Sequence, residues 1–351
     1  MSSIKAYAAM APTAPLQLHY IERKVLGPHD IQVEILYCGV CHTDLHLARN
    51  DWNTSIYPIV PGHEIIGRVS KVGSMVSKFV KDDYAGIGFL YDSCRICSCC
   101  SSGNEQICEE GIIATFNSYE RYTGNITYGG FSSQIVVDEN YAVKIPAEMP
   151  LAQTAPLLCA GITTYSPLKY VGLSTGHKIA VSGLGGLGHM AVKFAVAMGA
   201  EVTVISTSPN KASDAREMGA HHFILLGQQD NGILPASHFD YIIDTVSGKR
   251  DYTLQLNMLK PEGTLIVVGL PSQDATFAPA SLVFKRRKIL GSFVGSITEM
   301  QEMINYCAIN KIYSEVETIP IQQINVAFER MLKGDVRYRF VIDMSSLNND
   351  Q

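Results

Sequence analysis

The sequence predicts an α/β protein of two domains, a β-rich domain followed by a doubly wound one, and three observations carry that expectation. At 351 residues the chain exceeds a comfortable single core. Its first part is crowded with short β-type segments punctuated by Pro and Gly. After about residue 152 strands and helices alternate at the spacing of βαβ units, which builds a parallel sheet covered on both faces. The expected domains are therefore 1–152 and 153–290, with 291–351 less regular.

In order, β-type segments are expected at Ile4–Ala9, Leu16–Glu22 and Ile31–Tyr37, paired antiparallel, and Thr43–Ala48 can form a short helix after Cys41. Ile65–Val72, Tyr84–Phe89, Phe131–Val137 and Tyr141–Ile145 return to strand character. The second domain reads as strand Lys178–Ser182, helix Leu187–Met198, strand Val202–Ser206, helix Asn210–Met218 and strand Phe223–Leu226. Strand Phe239–Asp244, helix Asp251–Leu259 and strand Thr264–Val268 continue it. Helical patterns at Thr298–Ile309 and Ile321–Lys333 precede a last strand, Tyr338–Asp343.

Composition narrows the partners. With 46% hydrophobic and 17% charged residues and a net charge of −5, the chain gives no electrostatic reason to expect nucleic acid or an anionic membrane. Its one basic cluster, Lys285 to Lys288, reads as a solvated face. No apolar run reaches the roughly 18 residues of a spanning helix, and the N-terminus lacks a basic stretch before an apolar core, so a cytoplasmic protein is expected. The nine cysteines are odd in number, and five crowd between Cys94 and Cys108, which suits a metal in a reducing compartment better than disulfides.

Cys94, Cys97 and Cys100 at even spacing, followed by Cys108, offer four thiolates, and four sulfurs close a zinc coordination sphere with no place for substrate. Such a zinc is structural. Cys99 is a fifth thiol that makes the register ambiguous, and Cys100 is preferred because it keeps the spacing even. An iron–sulfur cluster or a redox thiol pair is the alternative, and the first three cysteines do fit a ferredoxin run, but Cys108 comes too late for its fourth and precedes Glu109 rather than Pro. A second set is more open: Cys41 and His63 are donors zinc accepts, and Cys159, alone in the apolar run Ala155–Gly161, is the candidate third. A catalytic zinc keeps three protein ligands and one open position. Singly, a buried cysteine is usually a small hydrophobe, so the set must carry the argument.

Gly183, Leu184, Gly185, Gly186, Leu187 and Gly188 follow an apolar strand and open a helix, the context in which glycines allow close approach of a pyrophosphate to free N–H groups. An NAD site would place an acid near the end of the next strand. Here Ser206, Thr207, Ser208 and Lys211 stand instead, donors that suit the 2′-phosphate of NADP.

These residues, with Cys41-His-Thr-Asp-Leu-His46, Tyr57-Pro-Ile-Val-Pro-Gly-His-Glu64 and Asp335-Val-Arg-Tyr-Arg-Phe-Val341, give the chain a resemblance over nearly its whole length to the zinc-containing medium-chain alcohol dehydrogenases. It is closest to the cinnamyl alcohol dehydrogenase branch. The resemblance implies a chaperonin-10-like catalytic domain to which 291–351 returns, a Rossmann domain binding NADP(H), two zinc ions per chain and a homodimer. It also implies a catalytic zinc on Cys41, His63 and Cys159, with Glu64 a transient ligand or a neighbour and Asp44 acting behind the ligands. Thr43 would pass the alcohol proton through the cofactor ribose to His46, a residue type that titrates near neutral pH.

The expected activity is that of an NADP-dependent alcohol dehydrogenase or aldehyde reductase, EC 1.1.1.-, in which zinc polarises the substrate oxygen and hydride is exchanged with the nicotinamide. Trp52, Phe116 and Phe293 are implied pocket walls. Plant lignin-pathway enzymes carry a bulky tryptophan about where this chain has Ala114, which argues for a broad range of aromatic and aliphatic substrates. A zinc-free quinone or enoyl reductase would lack the donor set, and a non-catalytic zinc-stabilised binding protein would have no use for Thr43 and His46.

Overall fold

The computed structural model describes residues 4–227, 235–270 and 274–349. The chain divides into two compact units, Met1–Ile162 with Gly295–Gln351, and Thr163–Val294. The boundaries fall several residues beyond 152 and 290, and Cys159 consequently belongs to the first unit.

The first unit is built on the Asp30–Val40 strand, in which Ile31, Val33 and Ile35 are buried while Gln32 and Glu34 turn outward, the period of two of a half-buried strand. Among the described residues its sheet runs Val316–Pro320, Arg339–Asp343, Asp30–Val40, Ile65–Val72, Tyr84–Ile87 and Val143–Lys144, with Gln134–Asp138 also paired to Asp30–Val40. Arg339–Asp343 therefore lies directly beside the strand leading to Cys41, with Phe340 opposite Val40. The pairing of Asp30–Val40 with Ile65–Val72 shifts register between Ile35 and Tyr37, a bulge that bends a strand and re-aims its last residues. Ile4–Ala8 and Gln17–Ile21 form a separate antiparallel pair.

Among the described residues the second unit holds a six-stranded sheet in the order His222–Leu225, Glu201–Ser206, Lys178–Ser182, Phe239–Asp244, Leu259–Val267, Lys288–Gly291. Every neighbouring pair in it is parallel. The chain's direction of progress reverses between Lys178–Ser182 and Phe239–Asp244, the switch point beyond whose strand ends nucleotides bind in this fold. Beneath it, Ile205, Phe239, Ile242, Leu256, Leu259 and Leu265 form a dry core. The structure also holds elements that no periodicity marks. The Ala160–Tyr170 helix carries Gly161 near its start and Pro167 inside it, both poor helix formers. The Lys288–Gly291 strand follows the basic cluster, and that cluster is not wholly solvated: Arg287 is buried and donates to the carbonyls of Leu259, Asn257 and Ser281.

Candidate active site and metal centres

Cys41 follows the Asp30–Val40 strand and is the N-cap of the His42–Arg49 helix. Its N–H donates to Asp44 Oδ2 at 2.8 Å, an acid in the first turn, where the helix N-terminus favours negative charge. Asp44 is fully buried. Its Oδ1 accepts the Gly62 N–H at 2.9 Å and faces His63 Nδ1 at 3.0 Å. An ionised carboxylate only accepts, so Nδ1 carries a proton and Nε2 points away, to within 3.3 Å of Cys159 Sγ. Cys41 Sγ lies 4.0 Å from Cys159 Sγ. Donor atoms of Cys41, His63, Glu64 and Cys159 all fall within 4.8 Å of one another. A tetrahedral zinc with bonds of about 2.0–2.3 Å spaces nitrogen and sulfur donors roughly 3.5–3.8 Å apart, so these side chains fit the ion with little movement.

The electrostatics agree with a cation site. Contact with Cys159 holds the Cys41 thiol well below its usual range, and the same contact pushes Cys159 well above its own. Burial opposes charge on His63, but Asp44 and Cys41 together outweigh it and raise the imidazole well above its ordinary value. Burial pushes the Glu64 carboxyl up to about 8 against the opposing pull of Arg339. Glu64 Oε1 accepts from Arg339 Nη2, while Glu64 Oε2 is buried without a hydrogen-bond partner. Protons held among thiols and imidazole are those a metal would displace.

Thr43 Oγ1 stands 3.7 Å from Cys41 Sγ, at the edge of this cluster. His46, one turn further along the helix, faces Asp51 Oδ2 through Nδ1 at 2.7 Å, and its ring lies 5.2 Å from that of Trp52. Phe116 is fully buried and stacks on His63 with centroids 5.8 Å apart. Phe89, half-buried, meets the same ring edge-on at 5.4 Å. Phe293 is 48% exposed and belongs to the second unit. Asp51, Phe89 and Arg339 lay outside the sequence-level set. The motif containing Arg339 was visible, but nothing local marks its carboxylate partner 275 positions away.

The four cysteines Cys94, Cys97, Cys100 and Cys108 also bring their sulfurs within 4.8 Å, whereas Cys99 turns to Glu109. Backbone N–H groups point at the sulfurs in sequence: Cys94 N–H to Cys108 Sγ, Cys97 N–H to Cys94 Sγ and Cys100 N–H to Cys97 Sγ. The Cys100 N–H above all lowers Cys97 to about 6. Cys94 Sγ and Cys100 Sγ are 3.8 Å apart, the edge length of a four-sulfur zinc tetrahedron.

In the second unit the Lys178–Ser182 strand runs into Gly183, whose φ of +90° suits glycine, and Gly188 opens the Gly188–Ala197 helix. A Cβ on Gly188 would collide with the Gly183 carbonyl oxygen, so strand and helix meet this closely only through glycine. Leu184 is buried and Gly185 exposed. Below the turn, buried Asp244 binds Arg250 and Gln255, and both also reach Ser182 Oγ. The next strand ends at Ser206, whose Oγ accepts the Ser208 N–H at 3.1 Å, and Lys211 starts the Lys211–Glu217 helix.

A β-rich unit with two metal-capable donor sets and a doubly wound unit with a glycine turn define a metal-containing dehydrogenase. Residues 27–147 match the alcohol dehydrogenase GroES-like domain and residues 186–308 the zinc-binding dehydrogenase model. NADP-dependent alcohol dehydrogenase C 1 of Mycolicibacterium smegmatis is 46% identical over 99% of this chain and 100% of its own length. A cinnamyl alcohol dehydrogenase structure from Sorghum bicolor superposes with a TM-score of 0.95 at 39% identity, covering 98% of each chain. The Helicobacter pylori cinnamyl alcohol dehydrogenase complexed with NADP(H) gives 0.92 at 38% identity, again over 98% of each. The chain belongs to the zinc-binding alcohol dehydrogenase family, oxidoreductases acting on CH–OH groups.

Because Asp44 serves three N–H donors at once, Asp44→Asn should lower the stability of the first unit by about 3–5 kcal/mol, the cost of breaking a buried charged network. Denaturant unfolding followed by a probe in that unit measures it, and a loss below about 1 kcal/mol would show that Asp44 does not organise the cluster.

Proposed function

We propose that this chain is a zinc-dependent NADP(H) alcohol dehydrogenase and aldehyde reductase that interconverts primary alcohols and aldehydes over a broad aromatic and aliphatic range. The observation that carries the reading is the convergence of Cys41, His63 and Cys159 on one point, with Asp44 fixing the imidazole so that Nε2 faces the sulfurs. Bound there, zinc supplies a Lewis acid for the substrate oxygen. NADP(H), held over Gly183 to Gly188, supplies hydride chemistry. The protein's own residues do the rest. Asp44 orients His63 from behind. Thr43 offers a hydroxyl beside Cys41 to carry the alcohol proton, and His46, held by Asp51, is the group able to exchange it with solvent. Glu64 with its free oxygen is a standby ligand beside the three donors. Within the first unit, Trp52 and Phe89 are the apolar surface offered to substrate, and the small Ala114 leaves it unspecialised. The four-cysteine loop holds a second, structural zinc.

Nine free cysteines fit a reducing, cytoplasmic setting. The Lys288–Gly291 strand ends its sheet with outward-facing residues, and Val283, Phe284 and Ile289 near it are exposed. This open edge supports a homodimer. Light scattering should give twice the 38.4 kDa chain mass, and a monomer at micromolar concentration would exclude it.

Metal analysis should find two zinc ions per chain. Cys159→Ala should lose one of them together with turnover while the protein stays folded, and Cys100→Ala should chiefly lose stability, since structural-zinc binding is itself folding free energy. Fully active enzyme with a single zinc would overturn this assignment.

Cofactor choice is set by charge at the strand end. One charge-assisted bond from Ser206, Ser208 or Lys211 to a 2′-phosphate contributes about 1.5–3 kcal/mol, a roughly ten- to hundredfold preference for NADPH over NADH. Ser206→Asp should reverse the preference, and Lys211→Ala should weaken NADPH far more than NADH. Equal specificity constants for the two cofactors with a common aldehyde in the wild-type enzyme would refute it.

A further inference from the structure

The cysteine loop touches a helix far from it in sequence. Glu105 lies between Cys100 and Cys108, at the start of the 3-10 turn Glu105–Ile107. Its Oε1 accepts the Ile297 N–H at 2.5 Å. Ile297 is the first residue of the Ile297–Asn310 helix, which also carries a local capping box: the Ser296 hydroxyl accepts the Glu299 N–H and Glu299 accepts the Ser296 N–H. A helix start leaves several N–H groups without intrahelical partners, and a carboxylate there also meets the favourable end of the dipole.

That helix in turn packs on the segment carrying Cys159. Met300 and Met303 are buried. Met300 Cε and the Leu158 carbonyl oxygen both occupy the space a Cβ on Gly88 would need, and Met303 Sδ lies with Leu157 against Gly161. Residues on either side of Cys159 are thus held by the helix that Glu105 caps, all within one compact unit.

We propose that Glu105 is a positioning residue that couples the four-cysteine loop to Cys159. With the loop closed on its four sulfurs, Glu105 is held against Ile297, the helix is fixed at its first turn, and Met300 and Met303 set the position of the 157–161 segment. The coupling as it bears on metal retention rests on the zinc reading above.

Two variants and two readouts test it. Glu105→Ala removes the acceptor, and Glu105→Gln keeps an oxygen while losing the charge. Hydrogen exchange, which needs no assumption about the Cys41 site, should accelerate in Glu105→Ala both at 297–304 and at 157–162, with Glu105→Gln in between. Exchange that rises only at 297–300, or not at all, overturns the proposal. In parallel, release of zinc to a chromophoric chelator should show two kinetic classes in the wild type. The class absent from Cys159→Ala should leave roughly tenfold faster in Glu105→Ala, the scale of one charge-assisted hydrogen bond. Unchanged release of that class overturns the coupling, whereas a wild type lacking it refutes the zinc reading and leaves the exchange result to decide the coupling. Acceleration of the four-cysteine class alone would mark Glu105 as local to its loop and also overturn the proposal.

Discussion

The buried carboxylate of Asp44 is the constraint on which the first unit's chemistry depends. It accepts from Cys41 N–H, Gly62 N–H and His63 Nδ1, so one side chain ends a strand, starts a helix and fixes an imidazole tautomer. Three donors around one anion leave little freedom, and a buried charge is tolerable only when so surrounded. The geometry of the donor set follows: Cys41 is held by its backbone, His63 by Nδ1, and both converge on Cys159. Second neighbours of this kind orient a metal's ligands before any metal arrives.

Glu64 and Arg339 show the opposite arrangement. Each is buried, and each keeps an atom without a hydrogen-bond partner, Oε2 and Nε respectively. A buried ion pair satisfied on one side only contributes little net stability. It does keep a carboxylate near the three donors while a guanidinium holds it back.

Much of this was legible in the sequence because it is local. The glycine turn, the alternation of strands and helices, and the four-cysteine spacing are read within a few tens of residues. Ile65–Val72, Lys178–Ser182 and Phe239–Asp244 are strands with the very ends that their apolar runs suggest. Cys159 was nominated by its dry surroundings and a family likeness, since no spacing ties it to Cys41. Phe116, expected as a pocket wall, is buried against His63, a contact no residue pattern announces. Phe89, Arg339 and Glu105 act through partners that folding alone brings near, whereas Asp51 meets His46 only five positions away. The Arg339 and Glu105 contacts span 275 and 192 positions, distances at which no residue pattern predicts contact.

The path of the chain gives the site a history within each round of synthesis. Cys41, His63, Glu64 and Cys159 all precede residue 163, where the second unit begins. Arg339 follows Cys159 by 180 positions. At about 5–20 residues per second, the ribosome has delivered the whole donor set roughly 10–35 s before it delivers the cation that faces Glu64. The strand bearing that cation lies in the sheet beside Asp30–Val40, so translation supplies the thiols and the imidazole well before the guanidinium that faces Glu64.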